Sequence, residues 1–336
     1  MDLKTLTEIN APSGHEQAIR RVLLDELKKL GFAPVLDRMG NVVVVKDGTG
    51  DAPRKRVMVS AHMDEVGLIV TSATEDGYLR IAAAGGIDPR VLVFKRVTVG
   101  DDKLPGVIGA VPIHLQSAAE RKHVLSMDEL LVDIGAKNKD EAERKAPMGT
   151  YISFDTPYVE YGDGFACGKA FDDRVGCLSL LRLLQEELPV DLVACFVSED
   201  EVGCRGAKGA AFQQEPDVGI VLEGTTCNDL GDVPETAHVC EAGHGVAVSF
   251  MDGASIANRA LFRKALDVAK QENIPHQVKH SVSGGNDGGA IQRAREGVPV
   301  VVLSVPCRYI HSPSSVVKLS DVESQFALVK ALVKAL

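Results

Sequence analysis

Apolar positions along this chain change their period twice. Near the N-terminus Ala18, Val22, Leu23, Leu27 and Leu30 recur at helical spacing, after Ser13-Gly14-His15-Glu16 and before Gly31. A serine followed three residues later by glutamate is the capping-box pattern, and a glycine just past the last apolar position stops a helix. β-branched runs then predict strands at 41–45 and 56–60. From 68 to about 164 the texture is broken into short β-rich pieces at 78–82, 91–99, 106–111, 130–134 and 151–154. Glycines and prolines separate them, with one short helical signal at 139–144, which predicts a small all-β domain.

After Ala170 strands and helices alternate. Helices are expected at 173–188, 206–214, 258–272, 289–296 and 319–336, and strands at 191–197, 218–222, 245–251, 276–282 and 299–305. Alternation of this kind implies an α/β fold: a mixed, largely parallel central sheet with helices on both faces. The expected organisation is a discontinuous α/β domain, residues 1–67 and 165–336, with a β-barrel-like domain inserted at 68–164.

Composition narrows the function. With 336 residues, 45% of them hydrophobic, the chain can bury one large core and a smaller one. A net charge of -10 with no basic run argues against a nucleic-acid partner. No apolar run approaches the roughly 18 residues of a membrane helix. The N-terminal residues lack the basic and apolar regions of a signal peptide. Seven cysteines, an odd number without C-x-x-C, read as reduced thiols of a cytoplasmic protein.

Five acid or histidine clusters fall where predicted strands end or helices begin: His62/Asp64, Asp172/Asp173, Glu199/Asp200/Glu201, Glu223 and His311. Ligands of open α/β sheets bind at the carboxyl ends of strands. Two histidines with several carboxylates suit zinc, cobalt or manganese. The donors are too many for one tetrahedral ion and fit two ions about 3.5–4 Å apart that share a carboxylate. His62 and Asp64, two apart on an extended strand, share a face, so one can bind a metal while the other steers its ring. Each cluster has a plainer reading. Helix capping explains one of Asp172 and Asp173, residues 199–201 read as a solvated loop, Glu223 as a turn residue and His311 as a loop histidine. Their coincidence at strand ends is what argues for a site.

The segments HMDEVG, AFDDRVG, EVGCRGA, GGNDGGA and RYIHSPSS, in this order, resemble the TET-type dinuclear metallo-aminopeptidases. That family includes glutamyl and deblocking aminopeptidases and relatives once labelled endoglucanases. The resemblance covers nearly the whole chain. It implies His62, Glu201, Glu223 and His311 as terminal metal ligands, Asp172 as the bridging carboxylate and Asp64 as the acid orienting His62. Many relatives carry aspartate where this chain has Glu223. The family's Glu-Glu-Val-Gly, whose first glutamate is the general base, is here Asp200-Glu201-Val202-Gly203. Asp200 takes the base position one methylene short, with Glu199 as the alternative. Gly285, Asn286 and Asp287 match a loop beside the family's substrate pocket; a plain turn opening a helix is the other reading.

The resemblance implies a cytoplasmic, metal-dependent aminopeptidase acting on short peptides with two divalent ions per subunit, zinc or cobalt before manganese. It also implies dimers assembling to a dodecamer through the inserted domain, which controls access. Two other readings stay open: a metal-dependent amidohydrolase or deacylase of small N-acyl compounds, and a catalytically weak metal-binding assembly protein because Asp200 replaces glutamate. A glycosidase would need a carboxylate pair and no metal histidines.

Overall fold

Two aliphatic runs, Arg56–His62 and Asp191–Val197, are buried along almost their whole length. Strands that bury both faces belong in the middle of a covered sheet. The computed structural model, which describes residues 1–282 and 284–336, places them there, parallel and with Val197 opposite His62. Val218–Cys227 pairs parallel on the other side of Arg56–His62, and Val300–Arg308 lies parallel beyond it.

At the flanks the direction changes. Val42–Lys46 and then Val35–Leu36 add antiparallel at one side. Ser315–Lys318, Phe165–Gly168 and Val159–Tyr161 add antiparallel at the other. Val246–Ser249 branches antiparallel from Val300–Arg308 and pairs parallel with His276–Val278. The eleven-stranded sheet is therefore mixed. A largely parallel arrangement holds for its four central strands and fails at the flanks, where three of the antiparallel pairs are joined by short connections without a crossover helix.

Helices cover both faces. Gln17–Lys29 turns Ile19, Leu23 and Leu27 inward, into the same core as Leu180 and Leu183 of Phe171–Leu183 and Leu328 of Leu319–Lys334. On the opposite face Ala207 and Ala211 of Arg205–Gln214 pack with Ile291 of Asp287–Gln292. No helix among the described residues is long and apolar enough to cross a membrane. All seven cysteines are free thiols.

A separate barrel follows directly on the His62 strand. Gly67–Ala73, Leu79–Ala84, Leu131–Asp133, Leu104–Gly109, Arg96–Val99 and Tyr151–Phe154 close on one another, all antiparallel, around Leu68, Ile81, Val97, Ile108 and Ile152. The module is not purely β: the signal at 139–144 forms the helix Lys139–Lys145, capped by Asn138. The strand expected at 91–99 starts only at Arg96, because Pro89–Val91 is a 3-10 turn and Phe94 sits at φ 63°. Barrel pairing ends at Phe154, and Val159–Tyr161 already belongs to the large sheet, ahead of the expected limit at 164.

The junction is tied by a buried ion pair. Lys169 Nζ lies 2.8 and 2.9 Å from the Glu65 carboxylate oxygens and also donates to the Ile9 carbonyl at 3.1 Å. Their side chains are 3% and 2% exposed. Glu65 in turn accepts from the Ala11 N–H at 2.8 Å. The N-terminal segment, the loop after His62 and the segment before Asp172 are thereby held together.

Candidate metal centre and active site

The parallel register fixes where the candidate residues end up. His62 closes its strand, Glu199 to Glu201 follow Asp191–Val197, and Glu223 lies within Val218–Cys227. His311 comes three residues after Val300–Arg308, at φ 56°. Asp172 stands at the head of Phe171–Leu183, in non-helical backbone, and its peptide bond to Asp173 is cis. The two aspartates divide the work. Asp173 accepts from the Gly176 N–H at 3.0 Å, as a cap does, which leaves the Asp172 carboxylate for the site.

The Asp172 carboxylate faces both histidines. Its Oδ1 is 3.4 Å from His62 Nε2 and its Oδ2 is 3.5 Å from His311 Nε2. Glu223 Oε2 lies 3.6 Å from His62 Nε2, and Glu201 Oε2 lies 3.3 Å from His311 Nε2. Two histidines thus each have one glutamate beside them and share one aspartate. Gly224 permits this approach: its N–H donates to Asp172 Oδ1 at 2.9 Å, and a Cβ there would meet the same oxygen at 2.9 Å.

Asp64 does more than orient His62. The strand ends at His62, so Asp64 reaches the ring from the loop: His62 Nδ1 lies 3.1 Å from its carbonyl oxygen and 3.5 Å from its carboxylate. That fully buried carboxylate also accepts the backbone N–H groups of Asp200 and Glu201, at 3.1 and 3.2 Å. Ser13 Oγ donates to it at 2.5 Å. The expected capping box is consequently not formed. Ser13 serves Asp64, while Glu16 accepts from the Gly14 N–H at 2.7 Å and the helix starts at Gln17 without a side-chain cap.

Asp200 and Glu199 separate cleanly. Asp200 lines the central cavity, of about 510 Å³, with one oxygen 3.9 Å from His62 Nε2. Glu199, at φ 56°, points away and pairs with the Arg205 guanidinium at 3.2 Å. In the loop after His276–Val278, Gly285 and Asn286 line the cavity and Asp287 does not. Asn286 caps the following helix through the Gly288 N–H at 2.9 Å, and this turns Asp287 inward toward Asp200 and Cys204. Reasoning from sequence missed Thr225, Thr226, Lys279, Ser304 and Ile310 in the wall. Thr225 and Thr226 could have been found by continuing the strand two residues past Glu223; Lys279 carries no local signal.

The donors fit divalent cations. His62 Nε2, Asp200 Oδ1 and Glu223 Oε1 are buried without a hydrogen-bond partner among the described residues. Buried polar atoms are nearly always paired, and orphans of imidazole and carboxylate type, converging from different strands, are what a divalent ion satisfies. Two groups, His62/Asp172/Glu201 and His62/Asp200/Glu223, bring their ligand atoms within 4.8 Å of one another.

The electrostatics agree. Burial opposes charging His62, yet the carboxylates of Asp200, Asp172 and Asp64 hold its pKa well above the ordinary value. Burial likewise works against His311, but Asp172 and Glu201 raise it to about 9. Burial pushes Glu201 up to about 8, with Asp172 and Asp200 adding repulsion. Burial and Asp200 also raise Glu223. Asp172, despite its burial, is held far below the usual range by the two histidines. So many buried carboxylates cannot all ionise together without added positive charge.

Residues 40–328 match the family model of the M42 glutamyl aminopeptidases. The lysyl aminopeptidase of Pyrococcus furiosus is 33% identical over 99% of this chain and 96% of its own length. The glutamyl aminopeptidase of Lactococcus lactis is 32% identical over 99% and 95%. Among solved structures, the Pyrococcus horikoshii TET1 peptidase, described as able to assemble into a tetrahedron or a large octahedral shell, superimposes with a TM-score of 0.87. It is 32% identical, over 99% of this chain and 98% of that one.

Proposed function

The chain belongs to the M42 glutamyl aminopeptidase family, and on that premise we propose how its residues carry out metal-dependent removal of N-terminal residues from peptides. The observation that carries the proposal is the Asp172 carboxylate with one oxygen toward each histidine. His62 and Glu223 would hold one divalent ion, His311 and Glu201 the other, and Asp172 would bridge them. Bound there, the two ions would polarise the scissile carbonyl, lower the pKa of the attacking water and receive the substrate's free α-amine.

The chain's own groups do the rest. Asp200 takes the proton of the attacking water and passes it to the leaving amine. Asp64 fixes the His62 ring and, through the N–H groups of Asp200 and Glu201, sets base and ligand relative to each other. Gly285 and Asn286 bound the substrate side of the cavity.

We take zinc or cobalt as the native ions, with manganese as the alternative, because imidazole and carboxylate donors accept all three. We take the inserted domain, 68–164, as the element of oligomerisation and access. The tetrahedral and octahedral assemblies named for one TET1 structure and the dodecamer named for another support a homo-oligomer, which we take to be dimers assembling to a dodecamer. Together with the free thiols, they fit a cytoplasmic enzyme.

The test is turnover of aminoacyl-anilides by chelated protein with zinc or cobalt added back. Cleavage that needs metal and a free amine is the expected result. Equal cleavage of acetylated substrates would turn the reading to an amidohydrolase or deacylase of small N-acyl compounds, and no turnover under any metal would leave a metal-binding assembly protein.

A further inference from the structure

Asp287 is a buried acid that the mechanism leaves unused. The resemblance groups it with Gly285 and Asn286 beside the substrate pocket, yet of the three Asp287 alone stays out of the cavity wall. The backbone shows why. Asn286 is pinned from both sides: its amide donates to Asp252 Oδ2 at 2.9 Å, and its oxygen accepts from the Gly288 N–H at 2.9 Å. Gly289 seats the helix Asp287–Gln292 close against Ala254, whose carbonyl oxygen a Cβ there would meet at 2.7 Å. Asp287, the first residue of that helix, is thereby turned behind the cavity and is 0% exposed.

It arrives beside the base. Asp200, Cys204 and Asp287 bring their polar atoms within 4.8 Å of one another. Both Asp287 oxygens and Asp200 Oδ1 are buried without a hydrogen-bond partner among the described residues. An acid at the head of a helix ordinarily accepts its free N–H groups; this one takes none of them. The other Asp200 oxygen, Oδ2, is the one 3.9 Å from His62 Nε2. Ions held near His62 account for that side of Asp200 and leave its second oxygen to another acid.

Two ionised carboxylates are acceptors only, and side by side in a buried place they repel. A cation or a proton can reconcile them. A cation asks for several oxygen ligands and for room, and Asp287 borders no part of the central cavity. A proton asks for no room. Burial and the charge of Asp200 raise the Asp287 carboxyl well above the ordinary range, so Asp287 is the partner that keeps the proton. Burial and Asp200 also push the Cys204 thiol up, which leaves it neutral between them.

We propose that Asp287 is a positioning residue for the base: as a neutral carboxylic acid it donates a hydrogen bond to Asp200 and keeps that carboxylate from turning onto the metal ions. The proposal rests on the reading of Asp200 as the base. Asp200 also belongs to a ligand-competent group with His62 and Glu223, so a carboxylate released on its far side has an ion to turn to. A hydrogen bond to an ionised acceptor is worth about ten- to a hundredfold, and that is the loss in kcat its removal should cause.

The experiment compares Asp287→Asn, whose amide still donates, with Asp287→Leu, which cannot, each alone and together with Asp200→Asn, in the metal-loaded enzyme acting on an aminoacyl-anilide. Asp287→Asn should keep kcat within about threefold, and Asp287→Leu should lower it about ten- to a hundredfold at unchanged KM. Neither should cost anything further once Asp200 is replaced, because the effect runs through that carboxylate. A difference infrared spectrum at neutral pH, wild type minus Asp287→Asn, should show the carbonyl band of one protonated carboxyl group, a readout that needs neither turnover nor the leucine variant. Equal losses from the two variants overturn the proposal, as does a loss from Asp287→Leu that persists undiminished beside Asp200→Asn. Absence of the carboxyl band overturns it too, and so do three bound ions per chain in wild type against two in Asp287→Asn. Each of these leaves the aminopeptidase reading standing. No turnover by the wild type removes both.

Discussion

Replacing Asp200 by asparagine tests the base directly, because the carboxylate stands where two roles compete. Its Oδ2 is 3.9 Å from His62 Nε2, and it falls in one ligand-competent group with His62 and Glu223. It therefore reads either as the proton acceptor or as an extra ligand. The amide side chain of Asp200→Asn would keep the shape and the backbone N–H to Asp64 while losing the proton affinity. If Asp200 is the base, kcat should fall by about 10²–10⁴, which at 1.36 kcal/mol per decade is roughly 3–5 kcal/mol of barrier. Bound metal should stay at two ions per chain. Asp200→Glu advances the carboxylate by about one C–C bond, some 1.5 Å, and should retain activity within about tenfold, since general-base reach is the constraint. Glu199→Gln removes only a partly exposed pair with Arg205, a contact worth under about 1 kcal/mol, and should change kcat less than about threefold. The assay is steady-state hydrolysis of an aminoacyl-anilide at fixed free cobalt or zinc, with metal content measured on the same preparations. The reasoning fails if Glu199→Gln costs as much as Asp200→Asn. It fails equally if Asp200→Asn loses one metal ion in step with its activity.

Two further outcomes follow from the buried charges. Glu201 is raised from 4.5 to about 8 and His311 from 6.5 to about 9 in the folded chain. Both folded-state values lie above the unfolded ones, so both contributions are complete at low pH and are lost as pH rises through those windows. The Tm of chelated protein should fall between about pH 5 and pH 9, while the gain in Tm on adding metal should grow over the same range, because ligation needs deprotonated donors; a flat or rising Tm of the chelated protein would refute this. Lys169→Met leaves Glu65 as a buried carboxylate without its counter-ion and should destabilise by about 3–5 kcal/mol in urea unfolding, with Glu65→Gln in the same chain restoring part of it. A loss below about 1 kcal/mol would mean that the pair is not buried in solution.

What the sequence can and cannot disclose follows from how far each signal reaches. Arg56–His62 and Asp191–Val197 are legible because a strand buried on both faces is apolar throughout, whatever its neighbours. The ends of such strands are then fixed, and with them most of the centre. Val159–Tyr161 has no comparable mark, for all three residues are exposed and an edge strand needs no apolar face. The same logic separates two short motifs. Asp172-Asp173 divides into one cap plus one spare acid, as its sequence suggests, since a helix N-terminus satisfies only one of them locally. Ser13-x-x-Glu16 misleads, because the pattern states what a serine can do nearby, whereas a buried carboxylate far along the chain, Asp64, offers a stronger acceptor. Local grammar yields to tertiary partners wherever a charge is buried, and active sites are where charges are buried. Lys279 is the extreme case. A lysine after a three-residue strand reads as solvent-facing. Only Thr225, Thr226 and the loop 284–286, brought over it by strand order, make it part of a wall. Ligand positions can be inherited as motifs, then, while the rest of the wall has to be read from which distant segments enclose which charge.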